Sequence, residues 1–281
     1  MGKIVTGKTK LYAVIGDPIS HSLSPQIHNR LFAELKTDRM YVSLRIPSEE
    51  LKSSVELLRN NFHGFNVTIP HKEAIIPLLD ELDERAKIYG AVNTVKIEKG
   101  RLKGYNTDGY GFIKSLDSLD LKYHNKKALV LGAGGAARVI AYELVLKGCI
   151  VTIANRSEGK ALCIKGDIER ATGIEINVIS LSDVQDKYDF IVNTTPVGMS
   201  AMADRMPVGE HVLNKAELVY DLIYNPSPTK LLKMAERYNC RTEDGFSMLF
   251  YQAVKAQEIW LENSIKKSII SSVLSAMMVG D

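Results

Sequence analysis

The chain has only three cysteines and one tryptophan in 281 residues. It also lacks a long apolar run and a strong excess of either charge. Each shortage removes a class of protein. Cys149, Cys163 and Cys240 are odd in number and widely spaced, and neither C-x-x-C nor H-E-x-x-H occurs. A disulfide framework and a structural zinc therefore have no support, and free, buried thiols in a reducing cytoplasm are expected. The six histidines do not cluster at ligand spacing, so no metal is expected. No apolar run reaches membrane-spanning length, and the basic lead Met1–Lys10 has no apolar core of a secretory signal. The net charge of +3 leaves no basic stripe with interleaved aromatics, so neither nucleic acid nor membrane is an expected partner. The length suits one large or two ordinary domains and a sizeable core.

What is present begins with a glycine-rich turn in a telling place. Lys127–Leu131 reads as a short buried strand. Gly132, Gly134 and Ala137 then fit G-x-G-x-x-A, a helical pattern opens at Ala136, and a second strand follows at Cys149–Ala154. Gly132 permits a tight turn, Gly134 lets the backbone approach a pyrophosphate, and Ala137 lets the helix pack closely on the strand. The phosphates would sit at the helix N-terminus, where free N–H groups converge. The expected cradle is Gly132, Ala133, Gly134, Gly135 and Ala136.

After the second strand, an Asp or Glu would bind a ribose 2′-hydroxyl and select NAD. This chain has Asn155-Arg156-Ser157 instead. An arginine there accommodates a 2′-phosphate, which predicts NADP, and Lys160 adds charge one helical turn on. A charge-assisted bond of roughly 1.5–3 kcal/mol amounts to about one to two decades of preference. Glu158 is the counter-signal, because a carboxylate there could serve an NAD ribose.

Residues 11–105 alternate short strands with amphipathic helices, which predicts a largely parallel α/β sheet. Expected strands are Leu11–Ile15, Met40–Ile46, Phe65–Ile69, Ala91–Ile97 and Leu102–Tyr105. Ser24-Pro25 reads as a helix start with a capping hydroxyl. Residues 127–243 repeat the logic with six strands beginning near Ala128, Ile150, Glu175, Asp189, Leu218 and Cys240, a doubly wound Rossmann-type domain. From Ser247 to Val279 the pattern is helical. The expected organisation is α/β with two domains. Residues 1–108, completed by returning helices 247–281, form the substrate-binding and catalytic domain, and 109–246 form the dinucleotide domain. The cleft between them is the expected active site.

Polar residues gather at the ends of strands in the first half. They are Ser22 and Ser24 in S-H-S-L-S-P, Thr68 and Lys72 in N-V-T-I-P-H-K, Asn93 in A-V-N-T, and Asp108 in N-T-D-G. Ends of parallel strands line one crevice. The residue types suit a small, oxygen-rich, anionic ligand, with hydroxyls for a carboxylate and a Lys, Asn and Asp set for ring hydroxyls.

These four segments, with Gly132-Ala-Gly-Gly-Ala136, Asn155-Arg156-Ser157, Asp221-Leu-Ile-Tyr-Asn-Pro226 and Asp244-Gly245 to Gln252, resemble the shikimate dehydrogenase family over nearly the whole chain. The resemblance implies reversible, NADPH-dependent reduction of 3-dehydroshikimate to shikimate, a step of aromatic amino-acid biosynthesis. It implies that Ser22, Ser24 and Tyr224 hold the substrate carboxylate. Thr68, Lys72, Asn93, Asp108 and Gln252 would contact ring hydroxyls, with Lys72 and Asp108 as the catalytic pair. It places Ile223 and Gly245 near the nicotinamide and Glu84 near the cofactor, and Thr194 at a strand end is expected there too. The implied protein is cytoplasmic, a monomer or homodimer acting on a small molecule. Alternatives are a quinate/shikimate dehydrogenase using NAD, a methylene-tetrahydrofolate dehydrogenase on a related fold, and a non-catalytic NADP-binding regulator.

Overall fold

Residues alternate sides along the first strand, and that alternation builds two layers of core at once. The structure is a computed structural model that describes residues 5–185 and 187–279. In β1 (Lys10–Gly16), Tyr12 and Val14 face one layer, with Phe32 and Trp260, while Ala13 and Ile15 face the other, with Val55 and Leu58. The elements that follow are α1 (Ser24–Glu34), β2 (Arg39–Arg45), α2 (Leu51–Asn61), β3 (Gly64–Val67), α3 (His71–Ala74), β4 (Glu81–Leu82), α4 (Glu84–Tyr89), β5 (Thr94–Glu98), β6 (Arg101–Tyr105) and α5 (Asp108–Leu116).

The strands form one sheet in the order β2-β1-β3-β5-β6-β4. It is largely parallel, as expected, but β5 runs against the rest, pairing antiparallel with both β3 and β6. Apolar periodicity carries no strand direction. The local cause is a two-residue turn, Lys99-Gly100, with φ of 50° and 76°. Two left-handed residues in a row close a hairpin and force the next strand back alongside the last. Two expected strands also shift: β3 stops at Val67 rather than Ile69, and β5 starts at Thr94 rather than Ala91.

The second half holds β7 (Lys127–Leu131), α6 (Gly135–Leu146), β8 (Ile150–Asn155), α7 (Glu158–Thr172), β9 (Asn177–Ser180), β10 (Phe190–Asn193), β11 (Leu218–Asp221), α8 (Lys230–Arg237) and β12 (Arg241–Glu243). All six strands are parallel in the order β12-β11-β10-β7-β8-β9, the doubly wound arrangement whose strand order reverses between β7 and β10. Helices on both faces explain why β7, β10 and β11 read as unbroken apolar runs with almost no exposed residue. The helix α6 opens at Gly135, one residue before the expected Ala136.

The chain ends in α9 (Gly245–Leu261) and α10 (Lys267–Val279). It divides into two compact units, Met1–Gly111 with Leu249–Asp281, and Phe112–Met248, so each division falls inside a helix, α5 and α9. The C-terminal stretch belongs to the first unit because Ala256 and Trp260 fill the layer beside Tyr12. Trp260 donates its indole N–H to the carbonyl of Val95 (2.9 Å) and lies flat against Gly64, where a Cβ would come within 2.4 Å of the indole nitrogen. Truncating such a side chain costs about 3–5 kcal/mol.

Cys149 and Cys240 are buried, and burial pushes the Cys149 thiol up to about 12. Cys163 departs from the expectation of burial: it lies exposed on α7, whose core-facing positions are Ala161, Ile164 and Ile168. Among the described residues no helix is long and apolar enough to cross a membrane, and no group of three His, Cys, Asp or Glu could hold a metal. Met1–Ile4 of the basic lead lie outside the described residues.

Candidate functional site

The reversed strand explains how four separate polar segments of the first unit meet. β1, β3 and β6 all finish at one edge of the sheet, and β5, running the other way, begins there. Ser22 and Ser24 follow β1, Thr68 and Lys72 follow β3, Asn93 immediately precedes β5, and Asp108 follows β6.

At that edge Lys72 Nζ donates to Asp108 Oδ2 at 2.7 Å. The other carboxylate oxygen, Oδ1, accepts from Asn93 Nδ2 at 2.7 Å. The same amide donates to Gln252 Oε1 (2.8 Å), which brings α9 into the cluster. Asn93 Oδ1 accepts from the backbone N–H of Thr107 (2.8 Å) and from the Thr94 hydroxyl (2.9 Å), so its amide orientation is set from both ends. The lysine side chain is 29% exposed and the aspartate 6%. The amine is therefore the member that a ligand can reach, with the carboxylate behind it. Lys72 is set in place by its neighbour: the buried His71 bonds the carbonyl of Ile46 through Nε2 at 2.6 Å.

Ser24 does not cap α1, contrary to expectation. It is the first helical residue, the cap position is Leu23, and no side chain caps the helix. Its backbone N–H donates to Ser22 Oγ (3.3 Å). Burial raises the Tyr41 phenol pKa, and the nearby Ser24 side chain pulls it part of the way back. Tyr41 in turn donates to Asn66 Oδ1 (2.7 Å), and Asn66 Nδ2 donates to the carbonyl of Asn93 (3.0 Å). Part-buried hydrogen bonds thus link Tyr41 on β2, through Asn66, to the backbone of Asn93 at the lysine end of the cluster. Sequence reasoning missed Tyr41 and Asn66. Asn66 opens the N-V-T-I-P segment and was within reach, whereas nothing local marks Tyr41. His28 stacks on Tyr41 at 4.1 Å and is fully buried, which lowers its pKa to about 3.

In the second unit a cavity of about 740 Å³ opens over the strand-order reversal. Its floor is Gly132, Ala133 and Gly134, and Asn155, Arg156, Ser157, Lys160 and Thr194 line it further. Gly132 has φ +109°, a left-handed-side conformation that side chains disfavour, and a Cβ there would meet Thr194 Oγ1 at 2.7 Å. That threonine is fixed by its hydroxyl bond to the carbonyl of Leu131 (2.6 Å). At Gly134 and Gly135 an added Cβ would meet nothing within 4 Å, so both face open space. Ala136 lies in the first turn of α6, whose unpaired N–H groups face the same loop. Asn155 Nδ2 donates to the carbonyl of Ser157 (2.9 Å), shaping the turn that presents Arg156.

No Asp or Glu lines this cavity, and Glu158 is not among its walls. Glu158, the counter-signal for an NAD ribose, opens α7 between two residues that do line the cavity. A glycine cradle at a helix N-terminus with Arg156 and Lys160 beside it fits a dinucleotide bearing a 2′-phosphate. Sequence reasoning also missed Arg205, which lines the same cavity.

The remaining expected residues fall in both units. Tyr224 is half-buried in the second unit, and burial raises its phenol pKa. Ile223 is buried, and its N–H donates to Asp221 Oδ1 (3.1 Å). Gly245 packs so tightly that a Cβ would stand 2.0 Å from the carbonyl oxygen of Leu222. Asp221 also accepts from Asn193 Nδ2 (3.0 Å) and the Thr229 hydroxyl (2.7 Å), tying together the turns after β10 and β11. Glu84 is the exposed first residue of α4 in the first unit.

Comparison with known proteins agrees with both halves. A family model for the shikimate dehydrogenase substrate-binding domain matches residues 14–95, and one for shikimate/quinate 5-dehydrogenase matches residues 115–219. Shikimate dehydrogenase (NADP(+)) of Carboxydothermus hydrogenoformans is 43% identical over 261 residues, 91% of this chain and 93% of the relative. A crystal structure of a shikimate dehydrogenase in complex with NADP+ superposes with a TM-score of 0.92 at 37% identity, covering 99% of this chain and 98% of that one. The enzyme of Listeria monocytogenes, solved with shikimate and NAD, gives a TM-score of 0.88 at 33% identity, covering 98% and 99%. The chain belongs to the shikimate dehydrogenase family.

Proposed function

We propose that the chain catalyses the reversible reduction of 3-dehydroshikimate to shikimate with NADPH, a step in the making of aromatic amino acids. The observation that carries the chemistry is the Lys72–Asp108 hydrogen bond of 2.7 Å at the polar edge of the first sheet. The first unit takes the substrate and the second the dinucleotide.

When bound, NADPH supplies the hydride. As negative charge builds on the ketone oxygen, the Lys72 ammonium donates a proton to it and is reprotonated from solvent. Asp108 holds the amine in position, and Asn93 holds Asp108. General acid catalysis of this kind contributes typically 10²–10⁴-fold, about 3–5 kcal/mol. Ser22 and Ser24, with Tyr224, take the carboxylate, and Thr68, Asn93 and Gln252 read the ring hydroxyls. An analogue lacking one hydroxyl would leave a buried partner unpaired, which makes selection sharp. Gly132 to Ala136 and Thr194 take the pyrophosphate, and Asn155, Arg156, Ser157 and Lys160 the phosphorylated ribose. Ile223 and Gly245 stand near the nicotinamide, and Glu84 beside the cofactor. The free thiols favour a cytoplasmic enzyme, a monomer or homodimer.

The test is a spectrophotometric assay of reduced cofactor formed from shikimate and from quinate, each with NADP+ and NAD+. Turnover of shikimate with NADP+ at least tenfold above every other combination supports the reading. Preference for quinate with NAD+ would replace it with the alternative.

A further inference from the structure

Arg205 sits midway along the segment between β10 and β11, and that segment is tethered around it. Its own N–H donates to the carbonyl of Met202 (3.0 Å), and Lys230 Nζ donates to the carbonyl of Asp204 (3.0 Å). Arg205 lines the dinucleotide cavity together with Arg156 and Lys160, which come from the turn after β8 and from α7. Among the described residues none of these three side chains has an ion pair or hydrogen bond, and no carboxylate lines the cavity. The carboxylate next in sequence, Asp204, is exposed and is not part of its walls.

Three cations around one cavity with no counter-ion repel one another, so their grouping does nothing for folding. It serves an anion brought in from outside. A phosphate monoester carries close to two negative charges near neutral pH and offers three acceptor oxygens, more than one guanidinium satisfies. A guanidinium meets such a group through paired N–H donors in a way an ammonium cannot.

We propose that Arg205 is a cofactor-specificity residue, binding the 2′-phosphate of the dinucleotide from a segment separate from the one that carries Arg156. This rests on the reading that the cofactor is NADP. The segment after β10 then takes part in selecting the phosphorylated cofactor. Because Arg205 is exposed and its bond competes with water, its loss weakens binding about three- to tenfold, less than the loss of Arg156.

The experiment is calorimetric titration of the full chain with adenosine 2′,5′-bisphosphate and with 5′-AMP, in the wild type, Arg156→Ala, Arg205→Ala and Arg205→Lys. Neither ligand carries nicotinamide, so turnover does not enter, and thermal melting of the unliganded variants checks their folding. The expected result is a three- to tenfold weaker bisphosphate affinity for Arg205→Ala, less than twofold change for 5′-AMP, and partial recovery in Arg205→Lys. Unchanged bisphosphate affinity in Arg205→Ala, or equal losses for both ligands, would overturn the role of Arg205. If the wild type prefers the bisphosphate and Arg156→Ala weakens it more than 5′-AMP, the NADP reading survives that failure. If the wild type binds both ligands equally, the NADP reading itself fails.

Discussion

Asp108 receives Lys72 on one carboxylate oxygen and Asn93 on the other, each at 2.7 Å. The aspartate is thereby committed on both sides, and only the lysine has hydrogens left for a ligand. The two roles separate in mutants. Lys72→Met should lower kcat for shikimate oxidation by about 10²–10⁴-fold with little change in KM. Asp108→Asn should lower kcat and also raise KM, because it loosens Asn93 and the lysine together. Steady-state kinetics on both variants check this, and wild-type turnover in Lys72→Met would remove the lysine from the reaction.

Asp221 supplies a pH signature in the second unit. Burial pushes its carboxyl up to about 6 from 3.8, despite bonds from Thr229, Ile223 and Asn193 that favour the anion. Between about pH 4 and pH 6 the unfolded chain has released this proton while the native chain keeps it. The native state then binds more protons, so this group's contribution to stability falls as pH rises through that window and is level above it. A shift of about two units corresponds to a cost on the order of 3 kcal/mol at neutral pH. Asp221→Asn should remove this component, read from urea midpoints between pH 4 and 7. An unchanged pH profile in the variant would contradict the assignment.

His28 acts in the opposite sense in the first unit. Full burial against Tyr41 lowers its pKa to about 3 from 6.5. Below about pH 6.5 the unfolded chain takes up a proton that the native chain refuses, so stability is lost as pH falls from there toward 3. The only tryptophan, Trp260, lies 5.3 Å from His28 and reports on this unit by fluorescence. Urea unfolding followed by Trp260 should weaken on acidification, and His28→Gln should flatten that dependence. A wild-type acid dependence in His28→Gln would place the sensitivity elsewhere.

Gly245 offers a steric test. A Cβ would stand 2.0 Å from the Leu222 carbonyl oxygen, so Gly245→Ala forces the turn that carries Ile223 and Tyr224 to move. The expected outcome is a loss of about 1–3 kcal/mol in stability and a raised KM for the dinucleotide. Thermal melting and cofactor kinetics check both. Wild-type values for each would show that the turn yields freely.

Features that the backbone dictates locally were readable in the sequence. Gly132 and Gly134 sit where a tight turn and a phosphate approach demand them, and six candidate strands after residue 127 match the six parallel strands to within a few residues. The shared edge for Ser22, Lys72, Asn93 and Asp108 was also foreseeable, although for Asn93 the reason was incomplete. It lies at the start of a reversed strand, a fact held in the Lys99-Gly100 turn rather than in any periodicity. Ser24-Pro25 has the chemistry of a cap, but Ser24 is itself the first helical residue, and no side chain caps α1. Arg205 had no motif around it. Its meaning lies in facing a cavity whose other cations are about fifty positions earlier in the chain.

The reversal of β5 has a practical consequence. Since this strand starts beside Asn93 and runs the full depth of the sheet, its closing turn at Lys99-Gly100 emerges at the margin remote from the Lys72–Asp108 pair. Lys99, the first residue of that turn, is exposed, whereas Gly100 holds a φ of 76° that a side chain would strain. That hairpin tip is therefore the natural place to graft a fluorophore, an affinity handle or a surface tether, leaving the chemistry at the far end of the same strand undisturbed.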